Sequence, residues 1–275
     1  MKISIGLPTA LPGTPASIFL PWAQKAEAAG FAALGTIGRT VYDSYEELIV
    51  LAACAAVTSK IRLATTVLIA PPRETVLLAK QAASLQAISD GRLTLGLGVG
   101  WREDDFTVVG ADWSKRGQTL EKQIQRLHKI WQEREIGPTA PPPELMLGGA
   151  AESALERAGR LADAYMAGPF DTPEIEKYRD KVREYAQKAC RPAPRFVTSR
   201  YFALGDPQAV DKNIQRYFQV GGPQAIQDAR RNVLEKAEDI KRIVEEHRAA
   251  GSDELCLWVQ SARLDQIDRL AEVVF

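Results

Sequence analysis

Histidine is nearly missing from this chain of 275 residues: His128 and His247 are the only two. Two imidazoles leave almost nothing for a histidine-based metal centre or a Ser-His-Asp hydrolase, and a barrel metallohydrolase fails on its ligand count. Cysteine is scarce too. Cys54, Cys190 and Cys256 are widely spaced, and two of them sit in apolar runs, which suits a reducing, cytoplasmic setting better than a disulfide framework. Neither sign of charge dominates. Lys plus Arg is 35 and Asp plus Glu is 35, so the chain as a whole carries no electrostatic footprint for nucleic acid or an anionic membrane. Long hydrophobic runs are absent as well: the longest, Leu48 to Val57, falls well short of the ~20 residues that span a bilayer. Met1 to Pro8 reads as a first β-strand rather than a signal peptide.

What is present is an ordinary packed-core composition, 45% hydrophobic and 25% charged, which excludes disordered, collagenous and coiled-coil classes. Short β-rich apolar runs alternate with longer helical patterns from end to end, the mark of βα units on a parallel sheet. Strands are predicted at 3–7, 32–37, 61–69, 93–99, 144–148, 164–167, 196–203 and 254–259. Helices are predicted at 18–29, 44–57, 73–88, 116–133, 151–161, 173–190, 207–248 in two or more pieces, and 263–273. Eight such pairs close a (β/α)8 TIM barrel, here spanning 1–275 as one domain. Gly30, Gly91 and Gly251 each end a helical pattern before a strand, where a left-handed residue terminates a helix; they mark the bottom of the barrel, as does the structural turn Ser89-Asp90-Gly91-Arg92. The segments 38–45, 70–74, 99–115 and 168–173 follow strands and form the top face, where barrel enzymes place their chemistry. Pro138 to Pro143 is a connector into the fifth strand, and the charge-rich stretch Gln227 to Arg248 is read as a solvated amphipathic helix.

The most informative run is Gly91-Arg92-Leu93-Thr94-Leu95-Gly96-Leu97-Gly98-Val99-Gly100-Trp101-Arg102-Glu103-Asp104-Asp105-Phe106. Glycines at alternate positions near a strand end let something flat or bulky approach the backbone. It is not the dinucleotide fingerprint, since no helix opens at its third glycine. Continued through Val109-Gly110-Ala111-Asp112-Trp113-Ser114-Lys115-Arg116-Gly117 and Glu121, the run resembles the fourth-strand signature of the bacterial luciferase-like monooxygenase family, deazaflavin-dependent relatives included. Ala28-Ala29-Gly30-Phe31, Leu63-Ala64-Thr65-Thr66-Val67, Leu147-Gly148-Gly149-Ala150 and Ala249 to Leu255 match in order and spacing.

The resemblance implies a flavin-type cofactor, FMN or the deazaflavin coenzyme F420, lying across the C-terminal ends of the strands. Its phosphate falls to Arg116 and to Gly149, Ala150 and Ala151. Chemistry agrees: Gly148-Gly149 leaves a strand and opens a helix whose free N–H groups and dipole favour an anion, and Arg116 supplies a charge-assisted partner. The ring falls against Thr65, Thr66, Val67, Val99, Gly100 and Trp101, although Trp101 fits a core cap equally well. A bulge with a non-prolyl cis peptide is implied at the end of the third strand, between Thr65 and Thr66. Two departures stand out. Thr36-Ile37-Gly38-Arg39-Thr40 and Trp101 occupy the places where family members carry a catalytic His or Glu, which argues against light emission and against a His/Glu alcohol dehydrogenation. Arg39, Tyr42 and Asp43 after the second strand, Asp104 and Asp105 after the fourth, and Asp171 after the sixth are the remaining polar candidates; of these, Arg39, Tyr42, Asp104 and Asp171 are assigned to the substrate.

The function so implied is oxygenation of a small organic substrate with reduced FMN and oxygen, or hydride transfer with deazaflavin. A flavin reductase or another donor of the reduced cofactor is the implied partner. A flavin-storing barrel without turnover fits the same residues, because no positioned acid or base is found. The family also implies a homodimer, for which Ile18 to Trp22 or the Leu48 to Val57 helix offers an apolar face, unless these pack inward on the barrel.

Overall fold

The computed structural model describes residues 1–169 and 171–275; Phe170, within the expected top-face segment 168–173, lies outside the described residues. In chain order the elements are β1 (Lys2–Gly6), α1 (Phe19–Ala28), β2 (Ala33–Thr36), α2 (Glu47–Ala55), β3 (Arg62–Thr65), β4 (Leu68–Ile69), α3 (Thr75–Ile88), β5 (Leu93–Gly98), α4 (Asp104–Thr107), α5 (Arg116–Glu133) and β6 (Glu144–Gly148). They continue with α6 (Glu152–Leu161), β7 (Ala164–Met166), α7 (Thr172–Lys188), β8 (Arg195–Phe202), α8 (Pro207–Phe218), α9 (Gly222–Arg231), β9 (Val233–Leu234), α10 (Ala237–Ala249), β10 (Glu254–Val259) and α11 (Gln266–Val274). Every strand pairing is parallel, and β10 joins both β1 and β8, which closes the sheet into the expected eight-stranded barrel. Strands buried on both faces need continuous apolar sequence, and every residue of β2, β5 and β10 is buried.

The helices start where local chemistry directs. Glu46 and Glu74 accept hydrogen bonds from the amides of Ile49 and Leu77, at 2.8 and 2.6 Å, capping α2 and α3 with carboxylates that also suit the positive helix end. Gly30, Gly91 and Gly251 all take positive φ after their helices, as expected. Arg92 of the Ser89 to Arg92 turn is consumed structurally: it donates to the carbonyls of Ser89, Ile61, Ala55 and Thr58. Phe19, Trp22, Leu48 and Leu51 turn into the core, leaving Leu20 and Ile49 as the exposed large hydrophobic side chains of the two apolar segments. Among the described residues no helix is long and apolar enough to cross a membrane.

Three expectations are corrected. The third strand is not continuous over 61–69; it breaks into β3 and β4, both of which pair with β5. The non-prolyl cis bond lies between Thr66 and Val67 rather than between Thr65 and Thr66. The reason is in the ladder: the Thr66 amide still donates to the Thr36 carbonyl at 2.9 Å, so regular pairing runs one residue further than expected. The segment 207–248 is not all helix, because Val233 and Leu234 form β9 alongside Tyr201 and Phe202. As β10 already occupies one edge of β8 over residues 197–202, β9 extends the other edge above the short β7. Two buried apolar residues after α9 explain the switch, since they gain a strand partner there.

The barrel floor is closed by charge. Arg62 and Arg195 both pair with Glu254, and Arg195 holds Glu144 through two contacts of 2.9 and 2.7 Å. Burial would raise the Glu144 carboxyl, but the hydrogen bonds and charge of Arg195 outweigh it and hold it below its ordinary value. Ser4 and Thr94 donate to the same two carboxylates.

Candidate functional site

At the opposite end, the strand termini build a bulge. Thr65 Oγ1 donates to the Gly96 carbonyl at 2.7 Å and accepts from the Gly96 amide at 2.8 Å. Past the break, the Val67 side chain lies over β5 and β6: a Cβ on Gly98 would meet it at 2.7 Å and one on Gly148 at 3.2 Å. A Cβ on Gly96 would stand 2.0 Å from the Thr65 carbonyl oxygen. The alternate glycines of β5 thus admit the neighbouring strand, so what approaches their backbone is protein. Thr66 Oγ1 donates to the Thr36 carbonyl and accepts from the Trp258 indole N–H at 3.1 Å. Val99 and Gly100 follow β5, with Gly100 in the left-handed region at φ 69° against Ile69. Trp101 is 48% exposed and stacks towards Phe218 at 6.4 Å.

The polar candidates divide. Asp105, fully buried, accepts from Arg39 Nε at 2.8 Å and from the amides of Thr40 and Val41. Asp104 takes Arg39 Nη2 at 2.8 Å and is bonded to Arg102, whose hydrogen bonds hold its carboxyl below the usual range. Arg39 and the two aspartates therefore tie the segment after β2 to the segment after β5. Arg39 Nη1 and the Tyr42 hydroxyl are buried without a partner among the described residues. Tyr42 packs edge-on to Tyr217 at 5.2 Å. Burial raises the Tyr42 hydroxyl above its ordinary value. Asp171 is exposed at the start of α7, 3.7 Å from the buried Arg200.

The proposed phosphate residues lie apart from these. Phe106 is buried and packs on Trp113, and the Arg116 guanidinium lies over Trp113 at 3.7 Å while Nη1 donates to the Trp113 carbonyl. Its Nε is buried with no hydrogen-bond partner among the described residues. Gly149, Ala150 and Ala151 are exposed ahead of α6, and the N-cap residue Ala151 offers no side-chain acceptor, which leaves the first amides of the helix available to an anion. Glu152 is drawn away from that end by Tyr185 and Lys181.

Two hollows open on the top face. One is a wide cleft of about 770 Å³ bounded by Trp101, Asp171, Glu174, Tyr201, Phe218 and Arg231 among others. The second is narrow, about 30 Å³, lies behind Tyr201 and Phe218 and is walled by Trp258, Tyr217, Leu7, Leu11, Ile37, Asn213 and Gln260. Arg39 and Tyr42 are not in its wall; they stand behind Tyr217. Burial pushes the Tyr217 hydroxyl up to about 12 and raises that of Tyr201, so both remain protonated at neutral pH. Neither histidine is near: His128 is half-buried on α5, and His247, in the last turn of α10, is fully buried and bonded to Thr198 on the outer side of β8.

Sequence reasoning missed Tyr201, Trp258 and the α8 residues. For the first two a signal existed, because alternation along the strands at 196–203 and 254–259 points both inward near their C-terminal ends. Asn213, Tyr217 and Phe218 carry no comparable signal, since only the packing of α8 over the barrel mouth aims them.

Comparison with known proteins bears on the same barrel. The solved structure of the monooxygenase RslO1 from Streptomyces bottropensis superposes with TM-score 0.79 at 20% identity, over 99% of this chain and 97% of that one. An F420-dependent secondary alcohol dehydrogenase in complex with an F420-acetone adduct gives 0.79 at 18% identity, over 100% and 98%. In sequence, an uncharacterized protein of Mycobacterium tuberculosis is 28% identical over 219 residues, 66% of this chain and 75% of that protein. The FMNH2-dependent dimethylsulfone monooxygenase of Pseudomonas fluorescens is 28% identical over 187 residues, covering 60% of this chain and 51% of its own length. The model of the luciferase-like monooxygenase family matches residues 1–267. A closed parallel barrel with a broken third strand, and a family match over nearly the whole chain, make this protein a member of the luciferase-like monooxygenases.

Proposed function

We propose that this protein is an oxidoreductase that binds a reduced flavin-type cofactor, FMN or F420, across the top of the barrel and uses it on a small organic substrate. The observation that carries the reading is the pair of unmet donors at the expected phosphate position: the buried, unpartnered Nε of Arg116 and the uncapped, exposed start of α6. Both ask for an anion that the protein does not supply. When bound, such a cofactor supplies hydride transfer or, with oxygen, oxygen-atom transfer. The chain's own residues do the rest. Arg116 and the amides from Gly149 to Ala151 hold the phosphate, Val67, Gly100 and Trp101 border the ring, and Thr66, fixed by Trp258, keeps the bulge in place. Among the described residues no cluster of three His, Cys, Asp or Glu side chains is arranged to hold a metal ion.

The test is an absorbance titration of the purified protein with FMN and with F420, followed by tryptophan fluorescence. A band shift with either ligand supports the reading, and its identity selects the cofactor. The quenching should shrink in Trp101→Phe. Absence of binding by both, in reduced and oxidised forms, overturns it.

A further inference from the structure

We propose that Arg157 is a second arginine of the phosphate site, and that Arg157 and Arg116 together select a terminal, doubly charged phosphate, such as that of FMN, over the singly charged phosphodiester of F420. This deepens the function proposed above and rests on it for the cofactor. Arg157 lies on α6 with 9% of its side chain exposed, and its Nε is buried without a hydrogen-bond partner among the described residues. A guanidinium taken out of water is costly unless an anion meets it. Among the described residues the one carboxylate within reach, Glu121 on α5, stands 3.9 Å away and is engaged by Arg160 at 2.5 Å. Burial lowers the Arg157 guanidinium below its ordinary value, by more than Glu121 offsets.

Its place in the fold says which anion that is. Side chains on a helix lean toward the N-terminus, so Arg157 is directed back along α6 toward the exposed helix start. It shares a helix face with Ala154, three residues earlier, and a Cβ on Gly149 would meet the Ala154 Cβ at 2.8 Å. Across the groove, a Cβ on Gly117 would stand 3.4 Å from Arg157 Nη2. Gly117 follows Arg116 in the first turn of α5, so glycine there lets the second guanidinium come up beside the first. Two buried, unpartnered Nε groups therefore meet where the starts of α5 and α6 converge. The other charges at this junction are occupied: Arg160 also has Glu156 at 3.5 Å, Lys115 has Asp112 at 3.1 Å, and Glu152 is held by Tyr185 and Lys181. Two guanidiniums with open donors match a terminal phosphate, which brings close to two charges and three acceptor oxygens. A diester brings one charge and two free oxygens, and leaves one buried arginine short of a counter-ion.

The experiment measures binding of FMN, riboflavin and F420 to the purified protein by fluorescence at pH 7.5, and of FMN again at pH 5.5, below the second phosphate ionisation at about 6. The native protein is expected to bind FMN at least about tenfold more tightly than riboflavin or F420, and to bind it less tightly at pH 5.5. Arg157→Ala should weaken FMN by about tenfold or more, leave riboflavin unchanged and reduce the difference between the two pH values. Arg157→Lys, which keeps the charge, should retain that difference. Thermal melts confirm that both variants are folded. FMN binding untouched by Arg157→Ala, an equal loss for riboflavin, or tighter binding of F420 than of FMN by the native protein would overturn the proposal. Calorimetric titration with inorganic phosphate separates it from the function proposed above. Phosphate binding that depends on Arg157, in a protein that takes no flavin and no F420, retains the anion site and rejects that function. Flavin binding indifferent to Arg157 does the reverse, and absence of binding by flavin, F420 and phosphate alike rejects both.

Discussion

Arg116 shows how one side chain can be held in place and still keep an unmet donor. Trp113 lies beneath the guanidinium and its carbonyl holds one end, which leaves the buried Nε without a partner. Arg116→Ala should weaken FMN by ~1.5–3 kcal/mol, the range for a hydrogen bond to a charged group, and leave riboflavin, which lacks the phosphate, unchanged. Equal losses for the two ligands would place Arg116 elsewhere in function. Asp105 makes the opposite case, a carboxylate wholly used by the fold. Removing it strands Arg39, which is 2% exposed at its side chain, beside a single remaining partner. Asp105→Ala should cost ~3 kcal/mol or more in urea unfolding. Asp104→Ala, at a side chain 41% exposed, should cost under ~1 kcal/mol.

At the scale of the element, the junction of β3, β4 and β5 governs the site. The glycines of β5 were legible in the sequence, but their partner was not: a glycine vacates space without saying what enters it. The structure fills that space with the Thr65 carbonyl and the Val67 side chain. Gly96→Ala puts a methyl group against the Thr65 carbonyl oxygen, a backbone atom that no rotamer change moves, with the Met146 and Val67 side chains crowding it as well, so the expected cost is ~3 kcal/mol or more. Loss of folded protein or a melting point lowered by many degrees supports this, and a variant as stable as the native protein refutes it. The position of β9 was illegible for a related reason. Val233 and Leu234 sit in a charge-rich stretch with helical spacing on either side, and two residues are too few for a strand period to register. They become a strand because the edge of β8 above β7 is unfilled.

For the whole molecule, balanced charge and a fully packed barrel leave few groups whose titration matters near neutral pH. The two histidines are the exceptions: burial lowers both, His247 further than His128. Burial, with the nearby Arg200 charge, holds His247 at about 3, below its ordinary 6.5. The folded protein therefore keeps it neutral, while the unfolded chain binds a proton as pH falls below ~6.5. Stability should drop on acidification through that window, at about 1.4 kcal/mol per pH unit once the unfolded histidine is protonated. His247→Gln should flatten the trend between pH 6.5 and 5 in urea unfolding, and an unchanged slope would show that other groups set it.

The sequence by itself determined the barrel, because alternating apolar runs and helical periods admit few other closures and the glycine stops mark where each helix must turn. It also carried the family motif, whose order and spacing are local and to which the proposed ring and phosphate residues belong. Tertiary structure alone decided three things: that the alternate glycines receive a neighbouring strand, that Arg39 and Asp104 join a structural tie, and that Tyr201, Tyr217, Phe218 and Trp258 meet around one uncharged hollow. Each depends on side chains from distant segments converging at the barrel mouth. That convergence is set by strand register and helix docking, and neither is written in any short run of residues.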